Sequence, residues 1–199
     1  MCLHCKIHIP YVHNSELKSS NRLYQILNQR MDIEHATALC YFQEGSVTQS
    51  ILHSIKYKGN KPLAQQMGRE IAETVKSKPF SIPDILLPIP LHPRKRKLRG
   101  FNQSEEICKG MEEILKIPIE VDLLAREIHK ESQTHLGRIS RWKNISTAYV
   151  KGDKMPDYQH IAIVDDMITT GSTIEACYIH LKAQKPSLKI SVYSLGFES

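Results

Sequence analysis

Short apolar runs and longer amphipathic stretches alternate along most of this chain. His160-Ile-Ala-Ile-Val164 and Asp84-Ile-Leu-Leu-Pro-Ile-Pro-Leu91 are compact apolar segments of the kind that form strands buried on both faces, with Pro88 and Pro90 ending the second one early. Ala36 to Phe42, Ile119 to Leu124 and Lys189 to Leu195 are further strand candidates. Between these runs the apolar positions fall at helical intervals. Val47, Ile51, Leu52 and Ile55 form one set, and Leu63, Met67, Ile71 and Val75 a second, divided at Gly59 to Lys61 and Pro62. A third helix is expected to start at Ser104 as N-cap, with Glu105 and Glu106 at the positive end of its dipole and Ile107, Met111, Ile114 and Leu115 on one stripe. Thr173 to Lys185 is a fourth, through Ile174, Cys177 and Leu181, and spacing is weak around Leu23, Ile26 and Leu27.

Strands that alternate with helices predict an α/β fold: a mainly parallel sheet flanked by helices on both faces, with ligands bound beyond the carboxyl ends of the strands. Residues 1–35, polar and rich in histidine, read as a small N-terminal appendage or hood, and residues 36–199 as the α/β domain. Residues 126 to 147 are polar and basic with little periodicity, longer than an ordinary connection, and are a candidate mobile loop.

The length of 199 residues suits one domain with an appendage, and 41% hydrophobic with 24% charged residues excludes a wholly disordered or collagen-like chain. No stretch approaches the roughly 18 uncharged apolar residues of a spanning helix, so no membrane insertion is expected. The N-terminus lacks the apolar core of a signal peptide, and five cysteines form an odd set, both of which fit a reducing cytoplasm.

The formal charge of +6 is unevenly distributed. Five of the six residues from Arg94 to Arg99 are basic (Arg94, Lys95, Arg96, Lys97, Arg99), followed by Gly100, and Lys56-Tyr57-Lys58-Gly59-Asn60-Lys61 is a second cluster. Each is either a solvated face or a place where phosphate is met.

The chemistry concentrates in Ile161-Ala-Ile-Val-Asp-Asp-Met-Ile-Thr-Thr-Gly-Ser-Thr173. A buried strand delivers two carboxylates, then small and hydroxylated residues lead into a helix. A glycine lets the backbone approach an anion, amides and hydroxyls donate to it, and the helix turns its positive end toward it. Carboxylates repel a phosphate but accept hydrogen bonds from sugar hydroxyls, so a phosphorylated ribose has the matching polarity. The plainer alternative is a strand, a capped turn and a helix with Asp165 and Asp166 exposed.

The order of these thirteen residues resembles the phosphoribosyl pyrophosphate (PRPP) signature of type I phosphoribosyltransferases. Leu87-Pro-Ile-Pro-Leu-His-Pro93, Lys97-Leu-Arg-Gly-Phe-Asn-Gln-Ser104, Lys56-Tyr-Lys-Gly59, and Gln133-Thr134 followed by Arg138, Arg141 and Asn144 are together similar to the ComF family, which includes competence proteins of natural transformation. The resemblance runs from about residue 35 to the end. It implies a PRPP-binding segment made of Asp165, Asp166, Met167, Ile168, Thr169, Thr170, Gly171, Ser172 and Thr173, in which the acid pair holds the ribose 2- and 3-hydroxyls and the Thr169 to Thr173 loop holds the 5-phosphate. A basic loop containing Arg94, Lys95, Lys97, Arg99 and Gly100 would meet the pyrophosphate, and Mg²⁺ would arrive with the ligand. The activity implied is phosphoribose transfer, with Asp165 and Asp166 as the site's catalytic carboxylates. The other reading is a competence protein that holds single-stranded DNA on the same fold, through Lys56, Lys58, Arg138, Arg141 and Trp142.

ComF proteins usually begin with two Cys-x-x-Cys pairs forming a zinc ribbon, whereas this sequence carries one, Cys2 and Cys5. Zn²⁺ requires four ligands, so either upstream sequence or another chain completes the site, or the pair is vestigial and its thiols are unbound. Cys40, Cys108 and Cys177 fall in core elements and read as small apolar fillers.

Overall fold

The computed structural model of the chain describes residues 7–12, 21–126, 149–151 and 157–198. Among these residues the elements run α1 (Arg22–Asn28), β1 (Ala36–Tyr41), α2 (Val47–Lys58), α3 (Lys61–Lys76), β2 (Ile85–Pro88), α4 (Pro93–Arg99), α5 (Gln103–Leu115), β3 (Leu124–Arg126), β4 (Tyr149–Lys151), β5 (His160–Ile168), α6 (Ser172–Gln184) and β6 (Lys189–Phe197). The main sheet has the order β1-β6-β5-β2, and every neighbouring pair in it is parallel. β3 and β4 form a separate antiparallel pair.

The near-continuous apolar character of the strands follows from burial on both faces. Ile161 and Ile163 of β5 share one face with Ile85, Leu87, Ile190 and Val192, which α1 covers with Leu23 and Leu27 and α6 covers with Ile174, Cys177 and Leu181. Ala162 and Val164 point the other way with Leu86, Tyr193 and Leu195, under Ile51 and Ile55 of α2, Met67 and Ile71 of α3, and Ile107 and Met111 of α5. The expected architecture, a parallel sheet flanked by helices on both faces, is the one observed. α1 lies within the stretch read as an appendage, yet Leu23, Leu27, Met31 and Ile33 join the core of the sheet.

Local chemistry sets the boundaries. Ser46 caps α2 by accepting from the Gln49 amide, Gly59 closes it at φ 67°, and Asn60 caps α3 by accepting from the Leu63 amide, with Pro62 in the first turn. Four expectations are corrected. The basic segment expected as a loop is helix α4, started by Pro93 and by His92, whose side chain accepts from the Arg94 amide, and closed by Gly100 at φ 78°. The cap of α5 is Asn102 rather than Ser104, because the Asn102 amide group also donates to the Ile89 carbonyl at 2.9 Å, a tie that a serine at 104 does not make. Ile119 makes one parallel bridge to Leu86, and the strand expected over 119–124 starts only at Leu124. β5 continues to Ile168, so Asp165 and Asp166 lie inside its carboxyl-terminal half, with Asp165 in register with Ser194.

The helices over the second face meet backbone to backbone. A Cβ on Gly68 would lie 2.0 Å from the Ile107 carbonyl oxygen, and one on Gly110 would lie 1.9 Å from the Gln65 carbonyl oxygen, so α3 and α5 cross where neither has a side chain. Beside the crossing, Gln65 donates to Glu106 at 2.7 Å. Burial works to raise the Glu106 carboxyl, and hydrogen bonds from Lys109 and Gln65 outweigh it and hold the group below its ordinary value.

At the amino ends of the strands lies a buried polar chain. His160 Nε2 hydrogen-bonds with Ser191 Oγ at 2.7 Å, Ser191 Oγ with His35 Nδ1 at 3.1 Å, and His35 Nε2 with Tyr193 Oη at 2.7 Å. His35 also stacks on Phe80 at 4.4 Å. Burial lowers the His160 pKa, Glu34 and Asp84 oppose that, and Lys189 reinforces it.

Two outcomes follow from this packing. Gly110→Ala is expected to lower stability by about 3 kcal/mol, the upper part of the usual overpacking cost, measured as a shifted urea midpoint. His160 takes up a proton more readily in the unfolded chain, near pH 6.5, than in the fold, so its stabilising contribution is complete above that pH and is lost as pH falls below it. The melting temperature is expected to drop between about pH 7.5 and 5.5, with a shallower slope in His160→Gln.

Candidate functional site

The candidate site sits where β5 leaves the sheet for α6. β2 pairs with β5 only as far as Val164, whereas β6 pairs with it on to Ile168, so Asp165 and Asp166 lie on a strand that one ladder, through Ser194 and Gly196, still holds. The Asp166 amide donates to Asp165 Oδ1 at 2.8 Å, and Ser104 Oγ, in the first turn of α5, donates to the same oxygen at 3.4 Å. Burial, joined by repulsion from the Asp166 charge, pushes the Asp165 carboxyl well above the ordinary carboxylate range. Asp166 is only 9% exposed, and its Oδ2 lies 3.2 Å from the Lys56 ammonium, carried by the last turn of α2.

Beyond the acids the chain turns through Thr169, Thr170 and Gly171 into α6. Gly171 has φ 75°, and a Cβ there would press to 2.7 Å from Leu27 Cδ2, so both backbone conformation and space call for glycine. Gly171, the N-cap residue of α6, has no side chain to cap it, and Thr170 Oγ1 accepts from the Ser172 amide at 3.4 Å. Thr170 and Ser172 hydroxyls lie 2.9 Å apart on the turn, where Thr170 is exposed. The turn is braced from α1's side of the sheet: Arg30 Nη2 donates to the Thr170 carbonyl, and Arg30 Nη1 pairs with Glu175 at 2.7 Å. With its carbonyl tied back and a glycine as cap residue, the turn can offer hydroxyls and the amides beyond Ser172 to an anion.

The third part is α4. The chain leaves β2 next to the acids, since the Ile89 amide donates to the Val164 carbonyl at 2.9 Å. Arg94, Lys95, Arg96 and Lys97 on α4 are exposed. Arg99 lies 5.6 Å over the Tyr57 ring and donates to Gln103 at 2.9 Å, which sets the C-terminal end of α4 beside the last turn of α2. A cavity of about 470 Å³ opens beside α4, lined by Pro90, Arg96, Lys97, Asn102 and Glu105 and by Leu124 of β3; the acid pair does not line it.

Of the residues singled out in the sequence, the structure brings together Asp165, Asp166 and the Thr169 to Thr173 turn, with the α4 segment entering from β2. Ile168 is buried in the core, so its backbone alone faces the turn, and Met167 packs near Gly196. Lys56, named for nucleic acid, instead pairs with Asp166, while Lys58 is exposed. Arg138, Arg141 and Trp142, and Cys2 and Cys5, lie outside the described residues. Sequence reasoning missed Ser104 as a partner of Asp165 and Arg30 as the brace of Thr170. Both contacts span long sequence separations, and no local pattern announces them. Among the described residues no group of three or more His, Cys, Asp or Glu side chains could hold a metal ion. The buried Cys40 thiol is pushed up to about 12, chiefly by burial, and burial likewise raises Cys108, so both are unreactive fillers. No helix among the described residues is long and apolar enough to cross a membrane.

No family model matches the chain. The DNA utilization protein YhgH of Escherichia coli (strain K12) is 27% identical over 128 residues, which are 62% of this chain and 56% of that protein. Competence protein F of Haemophilus influenzae is 28% identical over 118 residues, 58% of this chain and 51% of that protein. The chain therefore spans about half the length of the curated relatives it matches. Among solved structures it is similar to the glutamine PRPP amidotransferase of B. subtilis, at 14% identity and TM-score 0.42 over 66% of this chain and 25% of that one. It is likewise similar to the adenine phosphoribosyltransferase of Leishmania tarentolae, at 12% identity and TM-score 0.42 over 92% of this chain and 90% of that one. Likenesses this distant transfer no residue roles. By sequence, the chain is similar to competence protein F and to YhgH over about three fifths of its length.

Proposed function

We propose that this chain binds PRPP together with Mg²⁺ and presents its anomeric carbon for transfer of phosphoribose to a nucleophile. The observation that carries the reading is the pair Asp165 and Asp166 at the carboxyl end of a central parallel strand, followed at once by the braced Gly171 turn and a helix whose cap residue is that glycine. On this reading the acid pair accepts hydrogen bonds from the ribose 2- and 3-hydroxyls. The Thr169 to Thr173 turn, with the positive end of α6 behind it, holds the 5-phosphate. Arg94, Lys95, Lys97 and Arg99, with the Gly100 backbone, neutralise charge on the pyrophosphate as it departs.

The donor set suits Mg²⁺ in one manner only. Two carboxylates supply hard oxygens but too few for a protein cage, so Asp165 and Asp166 would hold an ion that keeps its phosphate oxygens and waters. When bound, Mg²⁺ offsets the negative charge of the pyrophosphate. The protein's own part is orientation: a clamp at each end of the ribose holds the anomeric carbon in line with its attacker.

A second reading is favoured by the curated relatives, whose names are competence protein F and DNA utilization protein. In it the exposed cations of α4 hold the phosphates of a single DNA strand, and a role in DNA uptake follows.

Calorimetric titration with PRPP at millimolar Mg²⁺ is expected to give saturable heat, and the doubly substituted Asp165→Asn, Asp166→Asn chain to bind at least about tenfold more weakly, as loss of charge-assisted hydrogen bonds implies. Absence of binding by the native chain would sink this reading. For the DNA reading, the affinity for an oligothymidine is expected to fall with salt along a straight log–log line, and Lys97→Ala with Arg99→Ala to flatten that line by roughly one unit of slope or more.

A further inference from the structure

We infer that Lys56 is the residue by which this site separates a pyrophosphorylated ribose from plain ribose 5-phosphate. The inference rests on the PRPP reading above and names the source of its selectivity. Its basis is the ion pair at 3.2 Å between the Lys56 ammonium and Asp166 Oδ2. Asp166 is the acid assigned to a ribose hydroxyl, so ammonium and hydroxyl compete for one carboxylate oxygen.

The competition is unequal. The Lys56 side chain is 21% exposed and that of Asp166 is 12% exposed, so the pair is largely withdrawn from water and an ammonium driven from it must find another anion. Ribose 5-phosphate supplies none nearby, because its single phosphate is held at the far end of the sugar, on the Gly171 turn. PRPP does supply one. Its pyrophosphate lies toward α4, and the contact of Arg99 with Tyr57, the residue next to Lys56, places the end of α4 beside the last turn of α2. The four-carbon lysine stem lets the charge swing from Asp166 to the pyrophosphate without moving the helix. Lys56 thus opposes the diol of a ligand that lacks pyrophosphate and rewards one that carries it. This adds a use in ligand selection to the pairing that turns Lys56 inward, while Lys58, two residues on, stays exposed.

The test is calorimetric titration of the full chain with PRPP and, separately, with ribose 5-phosphate at the same Mg²⁺ concentration, for the native protein and Lys56→Met. The native chain is expected to prefer PRPP. In Lys56→Met, PRPP should bind more weakly and ribose 5-phosphate no more weakly than before, so that the ratio of their affinities falls by about tenfold, the worth of one charge-assisted contact. Lys56→Arg, which keeps the charge, should recover part of the ratio. A lysine with only a structural role would weaken both ligands together, and an unchanged ratio overturns the assignment. If Lys56→Met does not fold, the native chain serves: the Lys56 Nζ resonance in ¹⁵N NMR should move at saturation with PRPP, and a resonance that stays overturns the assignment equally. A native chain that binds neither ligand overturns the PRPP reading itself, and the role of Lys56 falls with it.

Discussion

Strand β5 is hydrogen-bonded to parallel neighbours on both edges as far as Val164 and is covered by helices on both faces. That enclosure is the constraint from which the site follows. A strand so held cannot slip by one residue, because a slip would turn Ile161 and Ile163 onto the face built for Ala162 and Val164. Its last residues therefore leave the sheet at one place and in one orientation. An acid at 165 is costly there, since burial and repulsion from the neighbouring Asp166 charge disfavour its charged form. Three contacts offset that cost, from Ser104, from the Asp166 amide and from Lys56. Two of them come from α5 and α2, so the acid pair depends on how those helices pack on the sheet.

Charge along the site is ordered by sign. On the proposed reading, the carboxylates, with Lys56 beside Asp166, occupy the middle, the amides and hydroxyls of the Gly171 turn one end, and the cations of α4 the other. This separation fits a ligand that is anionic at its ends and neutral in between better than it fits a uniformly anionic strand, which would meet Asp165 and Asp166 unfavourably. The DNA reading accordingly places its contacts on the outer side of α4, away from the acids.

How much of this was legible beforehand depended on sequence distance. The strand, turn and helix from Ile161 to Gln184 are signalled by short-range chemistry, with an apolar run, a glycine that tolerates positive φ, and a helical stripe after it. The two-faced parallel sheet was legible for the same reason. The length of β5 was not, because aspartates disfavour strands locally and only the ladder to Ser194 holds them there. Nor was α4, whose run of cations has no apolar period and whose start depends on His92 and Pro93. The cap of α5 turned on a hydrogen bond to Ile89, on a different element. Lys56 looked like one of a set of surface cations, and its pairing with a carboxylate 110 positions later has no trace in the local pattern.

Arg30 and Leu27 reach the Gly171 turn from residues that precede the first strand of the sheet. The smallest fragment able to keep that turn in shape is therefore larger than the α/β alternation suggests. A chain trimmed to begin at β1 would retain every residue of the signature and still lose the guanidinium that ties back Thr170, along with the leucine against which Gly171 rests. Anyone shortening this protein, or grafting its signature onto another scaffold, must carry the segment from Asn21 to Met31 along with it.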